Sequence, residues 1–345
     1  GSYDSADRTV GGAVSSACLG PSMPDEGGTF ASQVMALKLV TPQGSLLTID
    51  ESRQQALAAM RMSYGLLGVV YEVTLRVRPI TPFIAHYHTT TIEQFAQLAP
   101  KLAVVNHGIK YYLMPFRDRV YLERRCYERA AEQTSKLKWR LKDWMESSAL
   151  PKLARSVARA VPVGAVRYTL VDGFNEAAQA LMSTVSSGSK SLEQTGRFRA
   201  FYDPSDIRYS TWCFPAQDFA AVVHAYVGFC KDYYRSSGFR CDMPTIGCKL
   251  VPENQALLAP SFGGTAFTLT ALCTHEDEWE NFLIDFAALA TGHSGVPLFN
   301  QSRGASRACV AKAYGSRLEF MHKIRRQLDP HGVMVNSYFS RLLAV

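Results

Sequence analysis

The sequence predicts an α+β chain of two lobes, on three observations. A strand, a hairpin and a helix follow one another near the N-terminus. Further along, strands and helices alternate in a way that suits an antiparallel sheet. At 345 residues the chain also exceeds what one compact core usually holds.

The elements support this in order. Residues 34–40 (VMALKLV) read as a buried strand, TPQG at 41–44 as a turn with Pro and Gly suitably placed, and SLLTID as the return strand. Residues 51–62 are helix-like, ended by Ser63-Tyr64-Gly65, and 69–77 alternate as a strand closed by Pro79 and Pro82. From about residue 80 the character changes. A helix is expected over 89–102, then a hairpin of strands 110–114 and 119–125 around Pro115-Phe116-Arg117-Asp118. His86 and His88 fall on one face of a strand, as a solvated or packed pair or, with a third ligand, a metal pair. Strands at 210–215 and 267–272 and amphipathic helices at 218–236 and 276–290 complete the larger lobe.

Residues 136–161 are basic and amphipathic. Leu137, Leu141, Trp144 and Met145 recur near helical spacing, among Lys136, Lys138, Arg140, Lys142, Lys152, Arg155 and Arg159, and Pro151 is expected to split the run into two helices. Such a segment either packs on its own domain with a solvated basic face or lies on an anionic membrane surface, as in a peripheral enzyme acting on a lipid-linked substrate. No apolar run is long enough to span a bilayer.

With 47% hydrophobic and 19% charged residues the chain can bury ample apolar surface and is not of disordered composition. The net charge of +7 suits a phosphate-bearing cofactor, an anionic substrate or an anionic membrane, and equally an ordinary basic protein. Eight scattered cysteines without a C-x-x-C favour free thiols in a reducing compartment, cytoplasmic or at the inner face of a membrane. There is no nucleic-acid reading element, no Walker loop, no Ser-His-Asp arrangement and no metal-ligand pattern beyond the two histidines, so those chemistries gain no support.

Two stretches could place backbone against a large anionic cofactor. In TVGGAVSSACLG (9–20), Gly11 and Gly12 lack a Cβ, allow φ > 0 and permit close approach, and Ser15 and Ser16 offer hydroxyls to phosphate oxygens. The second is GLLGVVYEVTLRV (65–77), with Gly68, Val69 and Val70. The first stretch resembles the TVGGAxSxxxHG segment of flavoproteins of the vanillyl-alcohol oxidase type, in particular aldonolactone oxidases and decaprenylphosphoryl-ribose oxidase. GTFASQVMALKLVTPQG (28–44) and residues 65–78 resemble the strands that follow it there, and DPHGVMVNSYFSRLL (329–343) resembles the closing DPxxxFxNxYxxxLL segment.

The resemblance implies the second half of a PCMH-type FAD-binding domain (1–80), a substrate cap with an antiparallel sheet (81–305) and a segment returning to the FAD domain (306–345). It implies FAD as cofactor, contacted by Gly11, Gly12, Ser15, Ser16, Gly20, Gly68, Val69, Val70 and Asn336. It also implies hydride transfer from the CH–OH of a sugar-like or other secondary alcohol, with oxygen or another acceptor taking the electrons. Lys312, Lys249 and Asn300 are the catalytic candidates: Lys312 by the place of the family lysine, Lys249 beside the family's strand arginine, and Asn300, with Gln301, as a polar pair able to hold a substrate hydroxyl. Three positions depart from the family pattern. Leu19 replaces a histidine, Cys248 stands in the arginine position and Thr211 in that of a glutamate, which points away from the usual sugar lactone or towards a binding or scaffolding role. The family's upstream glycine-rich loop and its flavin-linking histidine are not in this sequence, so a preceding segment or another chain is expected to complete the site. Gly1-Ser2 reads as the remnant of a cleaved tag.

Overall fold

The computed structural model describes residues 9–21, 23, 27–79, 82–127, 136–186, 190–191, 207–276 and 278–343; Gly1-Ser2 lie outside them. A three-stranded antiparallel sheet, in the order β2–β1–β3, is formed by β1 (Val34–Val40), β2 (Leu46–Asp50) and β3 (Val69–Leu75). The Thr41–Gly44 turn joins β1 to β2, with the Gly44 N–H on the Thr41 carbonyl at 2.9 Å. Before this sheet lies α1 (Val10–Ser15), and α2 (Gln54–Met60) crosses between β2 and β3.

The core of this lobe is closed by the end of the chain. Leu37, Leu39, Ile49 and Leu57 pack in one cluster with residues of α9 (Arg307–Tyr314), α10 (Ser316–Leu328) and α11 (Ser337–Leu343). Arg317 ties α10 inward by donating to the Leu257 and Ala259 carbonyls, each at 3.1 Å.

The second sheet has eight strands in the order β11–β8–β10–β9–β5–β6–β4–β7. They are β4 (Phe83–Thr90), β5 (Gly108–Met114), β6 (Arg119–Tyr127), β7 (Lys190–Ser191), β8 (Arg208–Pro215), β9 (Thr245–Leu250), β10 (Ala266–Cys273) and β11 (Val296–Pro297), paired antiparallel. Side chains alternate between its faces. One face presents Tyr111, Leu113, Trp212, Phe214, Phe267 and Leu269 to α3 (Ile92–Val104), α7 (Phe219–Ser237) and α8 (Trp279–Gly292). Gly247 belongs to this face, and a Cβ there would meet the Thr268 carbonyl at 2.1 Å and the Tyr111 ring at 2.2 Å. Tyr111 occupies that space and donates its hydroxyl to the Thr268 carbonyl at 2.5 Å.

Lys249, opposite Phe267, therefore also points into the helix layer. Its Nζ donates to the Val105 carbonyl, just beyond α3, at 2.6 Å. Burial lowers its pKa to about 8.

The other face of the sheet is covered in two halves. The small lobe lies over Cys213, Cys248 and Leu250, and three helices lie over Tyr112, Met114, Tyr121 and Glu123. They are α4 (Lys136–Trp144), α5 (Leu150–Ala160) and α6 (Gly164–Ser186). A π-turn over Met145–Ala149, not Pro151, separates the first two; Pro151 sits in the first turn of α5, where a missing N–H is tolerated. Lys142, read above as part of a basic surface, points inward. Its Nζ lies 3.1 Å from Glu123 Oε2, 2.9 Å from Glu146 Oε1 and 3.0 Å from the Tyr112 hydroxyl, and Arg125 Nε lies 2.6 Å from Glu123 Oε1. Burial alone would raise the Glu123 pKa, but the charges of Arg125 and Lys142 outweigh it and hold the carboxyl well below its usual range.

Other departures from the sequence reading are local. Thr89 and Thr90 end β4, and α3 begins after Thr91, whose capping box with Gln94 satisfies the first turn. Helix α8 starts at Trp279, three residues later than expected. The 23-residue α6 was not anticipated.

Two outcomes follow. Lys142→Met leaves Glu123 and Glu146 each short of a buried cation, and a loss on the order of 3 kcal/mol is expected in urea unfolding. Lys249 is charged in the unfolded chain up to about pH 10.5 but sheds its proton near pH 8 when folded. Its burial therefore opposes folding below about pH 8, and stability should rise between these two values. In Lys249→Met that rise should vanish, as read from urea midpoints across the window.

Candidate cofactor cleft

A cleft of about 650 Å³ opens between α1, the start of β3, the turn after β11 and the segment entering α11. Its construction begins at α1. The Thr9 hydroxyl caps the helix by accepting from the Gly12 N–H at 3.1 Å. Gly11 and Gly12 are helical, and neither takes the positive φ that a glycine allows. Their missing side chains bare the helix surface instead: an added Cβ on Gly11 would meet only the Val70 carbonyl, at 3.7 Å. The Ser16 hydroxyl turns back to the Gly12 carbonyl at 2.7 Å.

The far end of α1 is fastened by an unusual loop. Met62 and Tyr64, neither a glycine, take φ of 58° and 54°. This aims their N–H groups at the last carbonyls of α1, Met62 to Val14 at 2.9 Å and Tyr64 to Ser15 at 2.5 Å. These carbonyls lack partners within so short a helix, so the strained backbone satisfies them. Gly68 then takes φ 142° where a Cβ would lie 2.5 Å from the Val40 carbonyl, so only glycine lets β3 start this close to β1.

The cleft has two chemically different ends. Gly11, Gly12, Ser15 and Ser16 form a small, polar end. Tyr64, Phe299, Tyr338 and Phe339 form an aromatic end, with Tyr64 and Phe299 centroids 4.9 Å apart and Tyr338 and Phe339 5.2 Å apart. Tyr338 is fixed by donating to the Phe299 carbonyl at 2.5 Å, and burial raises its pKa. A bare, hydroxyl-bearing end joined to an aromatic end matches the two chemical halves of FAD, phosphates and a flat ring system. The residues present fit that group.

Of the residues singled out in the sequence, Gly11, Gly12, Ser15, Ser16, Gly68, Val69, Val70 and Asn300 line this cleft. Four do not. Gly20 is buried outside the lining. Asn336 caps α11, its Oδ1 accepting from the Phe339 N–H at 3.0 Å, two residues from each of the lining residues Met334 and Tyr338. Lys312 donates from its Nζ to the Thr291 carbonyl at 2.9 Å, near the end of α8. Lys249 lies on the opposite face of the sheet. The aromatic end was missed, although Tyr338 and Phe339 stand within the closing segment and Tyr64 within what reads as a helix stop.

The three departures from the family pattern converge in space. Leu19 and Cys248 join one apolar cluster with Ala17, Cys213 and Leu298. Thr211, on the same sheet face as Cys213, shares a hydrogen bond of 2.9 Å with Thr270. Gln301 links this seam to the cleft, its Nε2 donating to the Ala17 carbonyl at 2.7 Å.

Comparison with known proteins agrees with this architecture. The chain is 21% identical over 341 residues to L-gulono-1,4-lactone dehydrogenase of Mycobacterium tuberculosis, covering 97% of this chain and 74% of that protein. It is 33% identical over 89 residues to the mitochondrial L-galactono-1,4-lactone dehydrogenase of Brassica oleracea, 26% of this chain and 15% of that one. In structure it is similar to cholesterol oxidase from B. sterolicum, with a TM-score of 0.68 at 12% identity over 97% of this chain and 75% of that one. Xylooligosaccharide oxidase from Myceliophthora thermophila gives 0.60 at 13% identity over 95% and 70%. The fold is that of the PCMH-type FAD oxidases. The family profile ALO, D-arabinono-1,4-lactone oxidase, matches residues 73–342, and the chain belongs to this family of FAD-dependent oxidoreductases.

Proposed function

We propose that this protein oxidises the CH–OH group of a secondary alcohol, sugar-like or otherwise small, using FAD held in the cleft between α1, β3 and α11. The observation that carries this reading is the meeting of Gly11, Gly12, Ser15, Ser16, Val69 and Val70 with Asn300 on one cleft that also has an aromatic end.

FAD, when bound, supplies the ring that accepts hydride. The chain's own residues bind and orient. Gly11 and Gly12 let an anionic group approach bare backbone, and the Ser15 hydroxyl donates to it, while the Ser16 proton stays on the Gly12 carbonyl. Tyr64, Phe299, Tyr338 and Phe339 hold a flat ring and keep water from it. Asn300, exposed on the turn after β11, is placed to hold a substrate hydroxyl. Lys249 and Lys312, whose amines are engaged elsewhere, have no part in this scheme.

The relatives' names specify aldonolactones, but Leu19, Cys248 and Thr211 make the seam beside this cleft less polar than the family pattern implies. A substrate with fewer hydroxyls on that side than a sugar lactone suits such a seam. Oxygen or another acceptor takes the electrons.

The decisive measurement is the visible spectrum of the complete protein with FAD under anaerobic conditions. Flavin absorbance that bleaches on adding a secondary alcohol from a graded series of polarity is expected. Flavin that binds but is bleached by none of the alcohols or lactones would favour a binding or scaffolding subunit, and absence of flavin binding would end the proposal. Gly11→Leu fills space that no protein atom needs, so bound flavin should fall about tenfold, roughly 1.4 kcal/mol, with an unchanged melting temperature. Asn300→Ala should slow flavin reduction by about tenfold while flavin content is kept, and Lys312→Met should leave both unchanged.

A further inference from the structure

The cleft leaves unexplained the outer surface of α4, α5 and α6. These helices turn Trp139, Lys142, Leu150, Ala154, Tyr168 and Val171 into the protein, so the opposite stripe of each faces outward. On α4 that stripe is Leu137, Leu141 and Trp144, exposed by 78%, 40% and 50%, with Lys138 and Arg140 exposed on either side of it. Helix α5 adds Leu153, with Lys152 and Arg159 exposed on the same helix. Helix α6 is stranger. Its exposed positions are all uncharged: Val166, Leu170, Phe174 and Leu181 form one stripe, and alanines and threonines fill the rest. Its two carboxylates lie at the flank and are each paired, Asp172 with Arg240 at 2.7 Å and the half-buried Glu176 with Arg117 at 3.2 Å.

A helix on a water-facing surface ordinarily carries charge on its outer face. Here an apolar field is bordered by cations, and none of the described carboxylate side chains of the three helices is exposed. We propose that this face docks on an anionic phospholipid bilayer. The leucines and Phe174 would enter the acyl boundary, and the Trp144 ring would sit at the headgroup level. Lys138, Arg140, Lys152 and Arg159 would meet lipid phosphates. An acidic protein surface would answer the cations but not the uncharged width of α6; a bilayer interface answers both. No helix among the described residues is long and apolar enough to cross a membrane, so the contact is peripheral. This inference does not depend on the cofactor reading.

The test is co-sedimentation of the complete protein with vesicles of pure phosphatidylcholine and of phosphatidylcholine mixed with phosphatidylglycerol. Hydrogen exchange over residues 136–186 is followed in parallel. Binding to the mixed vesicles at least tenfold stronger than to neutral ones, weakened by salt, is expected, with protection of the outer faces of α4 and α6. Leu170→Asp with Phe174→Asp should abolish it, and Lys138→Glu with Arg140→Glu should remove the preference for anionic lipid. Both pairs of changes lie on exposed positions, so the circular dichroism melt should be unchanged. Should a variant fail to fold, the wild-type exchange pattern decides alone. Equal binding to both vesicle types, no binding, or protection elsewhere overturns the proposal. So does a dimer in light scattering that Leu170→Asp dissociates, because a second copy would then cover the face.

Discussion

The alternation of side chains across the eight-stranded sheet is the constraint on which the rest of this structure depends. Each strand gives its odd and even positions to different neighbours, and the two neighbours differ chemically. One face meets α3, α7 and α8 in a continuous aromatic and aliphatic core. The other meets the small lobe at one end and α4–α6 at the other. A step of one residue along β9 exchanges Cys248 for Lys249, a thiol at the small lobe for an amine in the helix layer. The position of Gly247 fixes that step, since only a residue without a side chain fits beneath Tyr111.

The same economy of space governs the small lobe. A six-residue helix has few internal hydrogen bonds, and α1 persists because Met62 and Tyr64 reach into its last carbonyls from a backbone conformation that side chains rarely adopt. Strain in the loop and weakness in the helix cancel one another. The aromatic ring of Tyr64 is delivered to the cleft by this arrangement, and α11 brings Tyr338 and Phe339 to meet it.

Much of this was legible in the sequence, for identifiable reasons. Strands β1, β2, β8 and β10 show as apolar or alternating runs with turn residues at their ends, and Thr41–Gly44 carries its own turn chemistry. The glycine-bearing stretch 9–20 and the closing segment carry local patterns dense enough to pair them, and both line the one cleft. What was not legible depended on tertiary direction. The backbone of Gly11 and Gly12 follows from a cap at Thr9 and from partners fifty residues away, not from the glycines themselves. The face on which Lys249 lies is a matter of register. The inward turn of Lys142 on α4 depends on Glu123 of strand β6. Helix α6 escaped notice because its outer side is apolar or neutral, leaving no contrast of faces for periodicity to register.

Lys142 has a consequence for the helix that bears it. A full charge held between two carboxylates beneath α4 works as a key in a slot. Rolling the helix about its axis by even one residue would withdraw the ammonium from Glu123 on β6 and leave that buried carboxylate with Arg125 alone. The azimuth of α4 is thereby locked, and whatever meets its outer ridge meets a rigid relief, not a cylinder free to turn.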